Sequence, residues 1–258
     1  MNSSQPTGVD AQGFVLAVTD LPLQPEFQPL LSDVCATLSP AQWGLDGIYV
    51  YGSVARAEAI SGESDLDLTL IFREPPQPEL LEQLELTRLS LEQRHPEITK
   101  IDFDIGHCAQ VLSPENKDRW GFWLKHHCRG VWGNDLSACF DAFRPSREIA
   151  WALNGDFEAV LKGYLLRIDQ ARTDEARLRL QREASRKLVR STQLFCPVQA
   201  LMWPHSLEDH VKLFLQHYPA MVAQLAFFLF EARNPSAEGE KFSVRLHAFL
   251  DWMVSQQK

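Results

Sequence analysis

Apolar positions recur along this chain with two different periods, and the change of period divides it. The first residues, Met1 to about Asp20, begin rich in Ser, Gln and Gly and turn apolar at Phe14-Val-Leu-Ala-Val18, which reads as an arm leading into a short edge strand. From Glu26 to Ser39 the apolar residues are Phe27, Leu30, Leu31, Val34 and Leu38, the spacing of one helix face, with Pro29 acceptable in a first turn. A compact apolar run, Gly47-Ile-Tyr-Val50, reads as a strand. A Gly52-Ser53 turn follows it, then a short helix-like segment, then a second strand over Asp65–Phe72. Pro75-Pro76-Gln77-Pro78 breaks the chain and launches an amphipathic helix from about Glu79 to Arg94, closed by Pro96. Residues Ile98–Gly106 then alternate, so a strand is predicted with Asp102 and Asp104 on the face opposite Ile101, Phe103 and Ile105. Ser113-Pro114 has the residues of a helix start, and that helix is predicted to run to about Val131, before the turn-forming Gly133-Asn134-Asp135-Leu136.

Beyond Phe143-Arg144-Pro145 the period-two pattern disappears. Helices are predicted at about Arg147–Ala171, Asp174–Phe195, Leu207–Gln216, Ala220–Ala232 and Phe242–Val254. Two domains are therefore expected, residues 1–143 with a mixed α and β pattern and residues 144–258 all helical.

Two features of the first half carry chemistry. Asp65 and Asp67 stand two apart beside a strand, so both carboxylates point to one face. Anions that close repel unless a positive charge lies between them, and hard oxygen donors of this kind suit Mg²⁺. Gly52 lets a ligand approach the main chain, and Ser53 stands where a helix begins, a place whose free N–H groups favour phosphate. A phosphate cradle and a metal clamp about one helix apart are the equipment of nucleotidyl transfer. Asp102 and Asp104, facing one side of an expected central strand, must be solvated, paired or metal-bound. His126 and His127 are adjacent, project about a quarter-turn apart, and read as packing or surface residues.

The string Gly52-Ser53-Val54-Ala55-Arg56-Ala57-Glu58, followed by Ser64-Asp65-Leu66-Asp67-Leu68, resembles the DNA polymerase β-like nucleotidyltransferase superfamily, in its antibiotic-adenylyltransferase and minimal-nucleotidyltransferase branches. The resemblance implies an α+β catalytic domain, a small mixed sheet flanked by helices, followed by a helical-bundle domain that closes the cleft. It implies a two-metal transfer of a nucleoside monophosphate, AMP from ATP first of all, to a hydroxyl acceptor with release of pyrophosphate. Asp65 and Asp67 would bind Mg²⁺ (or Mn²⁺), and Asp102, with Asp104 as second choice, would supply the third carboxylate. Gly52, Ser53, Arg56 and Ser64 would hold the nucleotide. Lys187, in the string Ala184-Ser-Arg-Lys-Leu-Val-Arg190, resembles the lysine that related two-domain enzymes place on the triphosphate. Those branches usually carry Gly where this chain has Ala57, and Ala, a good helix former, is expected to lengthen the helix. The resemblance leaves the acceptor open among a small molecule, an RNA end and a protein side chain. It also admits a different class, a nucleotidyltransferase-fold antitoxin bound to a helical toxin, although the complete carboxylate set favours an enzyme.

Composition narrows the partners. The 258 residues carry a net charge of −9, which argues against a long nucleic-acid duplex. Between Lys162 and Arg190, however, nine Lys or Arg face four Asp or Glu, a local basic excess. Five scattered cysteines with no Cys-x-x-Cys pair point to reduced thiols and a cytoplasmic protein. No export signal is expected at the N-terminus, and the longest apolar run, Met221–Phe230, is too short to cross a membrane. Neither a P-loop nor a dinucleotide-binding glycine motif is present.

Overall fold

The computed structural model describes residues 8–18, 21–197, 202–236 and 239–257. They fall into two compact units, one of Leu16–Phe143 and one of Met1–Val15 with Arg144–Lys258. Of the N-terminal arm, the described residues 8–15 group with the helical half and 16–18 with the sheet.

The first unit is built on four strands, β1 (Leu45–Tyr51), β2 (Leu66–Phe72), β3 (Ile101–His107) and β4 (Arg129–Gly133), in the order β3-β2-β1-β4. Strand β1 runs antiparallel to β2 and β4, whereas β2 and β3 are parallel. One sheet face is apolar. Ile48, Val50, Leu68, Leu70 and Phe72 pack there with Leu30, Leu31, Val34 and Leu38 of α1 (Gln28–Leu38), and with Leu84 and Leu91 of α3 (Pro78–Arg94). The opposite face is split. Tyr49 and Ile71 join Val111, Trp120, Leu124 and Cys128 in a smaller core, and the remaining part of that face carries the aspartates. Tyr49 anchors the turn after β4: its hydroxyl donates to the Asn134 carbonyl at 2.6 Å and accepts from the Leu136 N–H at 2.8 Å.

Several expectations need correction. Phe14–Val18 is no strand; Val15 makes one isolated bridge to Val9, and the side chain of Asp10 holds the intervening turn by accepting from the N–H groups of Gln12 and Phe14. The strand expected from Ile98 begins at Ile101, because Glu97 and Ser64 tie the preceding residues into a loop by accepting the N–H groups of Gly62 and Thr99. The long helix predicted over 113–131 is broken. A 3-10 turn (Pro114–Asn116) and a π-helical turn (Lys117–Gly121) lead into α5 (Phe122–His126), and Arg129–Gly133 leaves the helical path to become β4. Gly130 and Gly133, poor helix residues, sit in that stretch, and Gly133 has φ +82°. Two short helices flank the site: α2 (Gly52–Ala55) and α4 (Cys108–Val111). Ala57 does not extend α2. It lies beyond the end of the helix with φ +56°, a left-handed conformation that glycine adopts without strain, which accounts for the glycine usual there. His126 is buried and packs on Phe122 and Phe143, its Nε2 accepting the Phe143 N–H at 3.0 Å.

The second unit contains α6 (Arg147–Asn154), α7 (Phe157–Asp169), α8 (Asp174–Ser191), α9 (Leu207–His217), α10 (Val222–Glu231) and α11 (Gly239–Ser255), with no strand among its described residues. The single helix expected over 147–171 is divided at Gly155. Side-chain oxygens start three of these helices: Ser146, Thr173 and Ser206 accept the N–H groups of Ile149, Ala176 and Asp209. Phe157, Leu161, Ala184, Leu188, Phe214, Phe228, Phe242 and Leu246 form its buried core. No helix among the described residues is long and apolar enough to cross a membrane.

Candidate active site

Strand pairing sets the geometry of the acidic face. In the parallel β2–β3 pair Asp67 lies level with Asp102, and Thr69 lies level with Asp104. Paired residues point to the same face, so Asp67, Asp102 and Asp104 share one side. Asp102 is the immediate neighbour of Asp67, and Asp104 lies two residues farther along, a rise of about 6.6 Å. On the other flank Tyr51 lies level with Asp67. Asp65 stands just before β2.

Glycine is required where the turn meets these carboxylates. Gly52 has φ +71°, and a Cβ built on it would fall 2.0 Å from Asp67 Oδ2. The Asp67 carboxylate therefore occupies the space that a side chain at position 52 would fill, directly against the backbone of Gly52. Glu58 and Arg56 N–H groups donate back to the carbonyls of Ser53 and Gly52, closing the loop after α2. Arg56 is half-exposed and paired with Glu58 at 2.8 Å. Ser64 holds the far end of the loop: its hydroxyl accepts the Ile60 N–H at 2.9 Å.

The other carboxylates have cationic and hydroxyl partners. Lys100 Nζ lies 2.6 Å from Asp102 Oδ2 and 3.8 Å from Asp65 Oδ2, and the Thr99 hydroxyl donates to Asp65 Oδ1. Desolvation raises the pKa of Asp104 above the ordinary aspartate value although much of its side chain meets solvent; the negative charge of Asp102 adds to this, and a hydrogen bond from Tyr51 opposes it. Burial likewise pushes the Tyr51 phenol upward, helped by Asp104 and Asp67, so Tyr51 remains a donor. Trp123 completes this wall, edge-on to Tyr51 with centroids 4.9 Å apart and donating to the buried Thr69 hydroxyl at 3.1 Å. Thr99, Lys100, Tyr51 and Trp123 were not singled out as site residues by sequence reasoning; a Lys two residues ahead of an Asp in a strand was the available signal for Lys100.

Strand β3 lies at the edge of the sheet rather than in its centre as expected, and α3 fixes its outer side. Glu92 accepts the Ile101 N–H at 2.7 Å, Arg88 donates to the Ile101 carbonyl at 3.1 Å, and Arg88 and Glu92 pair with each other. Both free backbone groups next to Asp102 are thereby satisfied, which holds its register against β2.

Among the described residues no three His, Cys, Asp or Glu side chains are already gathered into a metal cage. The donor set nevertheless fits a hard divalent ion: Asp65, Asp67 and Asp102 offer carboxylate oxygens only, and the cation between two of them is an ammonium. Lys187 lies in the second unit, where its Nζ is 2.6 Å from Asp156 Oδ1 and 3.4 Å from Asn154 Oδ1.

Residues 32–122 match the nucleotidyltransferase domain family. A comparison with curated protein sequences finds no match. Among solved structures, the chain is similar to spectinomycin adenyltransferase AAD(9) from Enterococcus faecialis, crystallised with ATP and spectinomycin. The TM-score is 0.56 at 13% identity, over 89% of this chain and 99% of that one, which is a likeness of fold. The matched segment runs from α1 to the start of α5 and contains Gly52, Ser53, Asp65, Asp67, Asp102 and Asp104. Residues 32–122 therefore match a nucleotidyltransferase domain, and the chain, with its helical region, shares the fold of spectinomycin adenyltransferase.

Proposed function

We propose that this protein transfers a nucleoside monophosphate, AMP from ATP, to a hydroxyl group of a small-molecule acceptor and releases pyrophosphate. The observation that carries this reading is the meeting of the glycine turn with the carboxylates: Asp67 Oδ2 fills the space against Gly52 while Asp102 stands level with Asp67 on the next strand. The nucleotidyltransferase match over the same residues supports it.

In this mechanism the backbone N–H groups at Gly52 and Ser53 hold the β- and γ-phosphates, with Arg56 and Ser64 completing the nucleotide site, and the family resemblance implies Lys187 as a further cation for the triphosphate. Asp65, Asp67 and Asp102 would hold two Mg²⁺ ions, for which Mn²⁺ can substitute. When bound, the ions neutralise charge around the α-phosphorus and stabilise the leaving pyrophosphate. Asp102 accepts the proton of the acceptor hydroxyl and orients its oxygen. The oxygen forms a bond to the α-phosphorus, the bond from that phosphorus to the bridging oxygen breaks, and its electron pair leaves with pyrophosphate. Asp104, level with Thr69 rather than Asp67 and hydrogen-bonded to Tyr51, shapes the acceptor side of the site. The fold likeness to an enzyme crystallised with ATP and spectinomycin supports ATP as donor and a small hydroxyl compound as acceptor.

The test compares Asp102→Asn with Asp104→Asn in an assay of nucleotide transfer. Asp102→Asn is expected to abolish transfer and retain ATP binding, and Asp104→Asn to keep measurable turnover. The reverse pattern would assign the third carboxylate to Asp104.

A further inference from the structure

The carboxylate face already holds a cation supplied by the chain. Lys100 is the residue immediately before β3, and its carbonyl accepts the Leu66 N–H at 2.9 Å, so its backbone is locked to the start of β2. From that anchor its ammonium reaches 2.6 Å from Asp102 and 3.8 Å from Asp65, with the side chain only 23% exposed. An ammonium is a compact point charge on a flexible stem. Here it occupies the region between two of the three carboxylates through which a divalent ion would have to be coordinated.

We propose that Lys100 is an internal counter-ion that competes with the metal for Asp102 and Asp65. This rests on the reading of Asp65, Asp67 and Asp102 as the metal carboxylates. Without nucleotide, Lys100 neutralises part of the acidic face and keeps its affinity for a free divalent ion low. Nucleotide phosphates bring further negative charge and oxygen donors, and the metal then displaces the ammonium from Asp102. Metal and ATP therefore bind with positive coupling, because the metal meets its competitor alone in the free protein and has phosphate help in the complex. The exchange needs no backbone movement, since only the flexible stem of Lys100 must turn.

The test is Mn²⁺ binding to the whole protein in the absence of nucleotide, read from the electron paramagnetic resonance signal of free Mn²⁺. Lys100→Gln and Lys100→Met are expected to bind Mn²⁺ about five-fold more tightly or better, the factor equivalent to losing one partly exposed ion pair. Lys100→Arg, which keeps the charge, should stay near wild type. The difference in Mn²⁺ affinity with and without ATP should shrink in the Gln and Met variants. Adding Asp67→Asn to Lys100→Gln should remove the tight site, which ties it to these carboxylates. A merely structural Lys100 would shift the metal-free melting temperature and leave Mn²⁺ affinity unchanged. Unchanged or weaker affinity in Lys100→Gln, with wild-type binding still sensitive to Asp67→Asn, overturns the role of Lys100 alone. Absence of Mn²⁺ binding in every variant, with or without ATP, overturns the carboxylate site and this inference with it.

Discussion

Replacing Gly52 by Ala separates backbone strain from damage to the site. At φ +71° an L residue bears roughly 1–2 kcal/mol of left-handed strain. The new methyl would also lie 2.0 Å from Asp67 Oδ2 and 3.0 Å from its Cγ. Ordinary contact lies near 3.5 Å, so the carboxyl must retreat by more than about 1 Å. Strand β2 cannot yield easily, because Asp67 is paired to Tyr51 on one side and to Asp102 on the other. The side chain must therefore rotate away from the phosphate turn. A misplacement of about 1 Å at a reacting centre lowers the rate about 100-fold. Gly62 supplies the control: its φ is +78°, and a Cβ there meets nothing within 4 Å. Both variants should lose about 1–2 kcal/mol in urea denaturation. Only Gly52→Ala should lose transfer by about two orders of magnitude, together with Mn²⁺-dependent stabilisation. Equal transfer in the two variants would refute the claim that the turn and Asp67 form one site.

Three other outcomes can be measured on the same preparations. Glu92→Gln removes the charged acceptor of the Ile101 N–H and the partner of Arg88, and should lower stability by about 1–2 kcal/mol; it should also lower transfer while leaving ATP binding intact, and unchanged turnover would show that the α3 clamp does not position Asp102. Lys187→Ala should raise the KM for ATP about ten-fold or more with a smaller change in kcat, whereas an unchanged KM would confine Lys187 to its pair with Asp156. His210 is buried, and that burial pushes its pKa down to about 3. The unfolded chain takes up this proton near pH 6.5 and the folded one resists it, so stability falls as pH drops through that window, by about 2 kcal/mol between pH 6.5 and 5. Urea denaturation at both pH values should give a flatter dependence for His210→Gln, and an identical dependence would contradict a neutral buried histidine.

What could be read in the sequence was local. The apolar runs at 47–50 and 65–72 became β1 and β2, and the three-to-four spacing at Phe27, Leu30, Leu31, Val34 and Leu38 became the buried side of α1. The glycine turn and the Asp-x-Asp pair could be picked out because each depends on a few neighbouring residues. Pairing between strands was not legible. Asp102 and Asp104 both satisfied an alternating pattern, and only the parallel register placed Asp102 beside Asp67. Strand β4 was hidden because Trp120, Phe122, Trp123 and Leu124 prolong a helical pattern up to residues that pair with β1. Ala57 misled for a similar reason. Its helix propensity is an average preference, whereas the turn after α2 imposes φ +56° through the closure of the loop on Ser53 and Gly52. Lys100 was legible only as a Lys two residues ahead of Asp102; that its ammonium reaches Asp65 as well depends on how the side chain turns at the strand end.

The central claim is tested most directly by following the phosphorus. ATP labelled either at the α- or at the γ-phosphorus is incubated with the protein, Mg²⁺ and a panel of hydroxyl acceptors comprising aminocyclitol and aminoglycoside compounds, tRNA and protein. The account predicts that the α-label appears on a small-molecule acceptor, with one pyrophosphate released per transfer, and that Asp67→Asn reduces this by several orders of magnitude while the protein remains folded. Transfer of the γ-label, or full α-label transfer by Asp67→Asn, would contradict it.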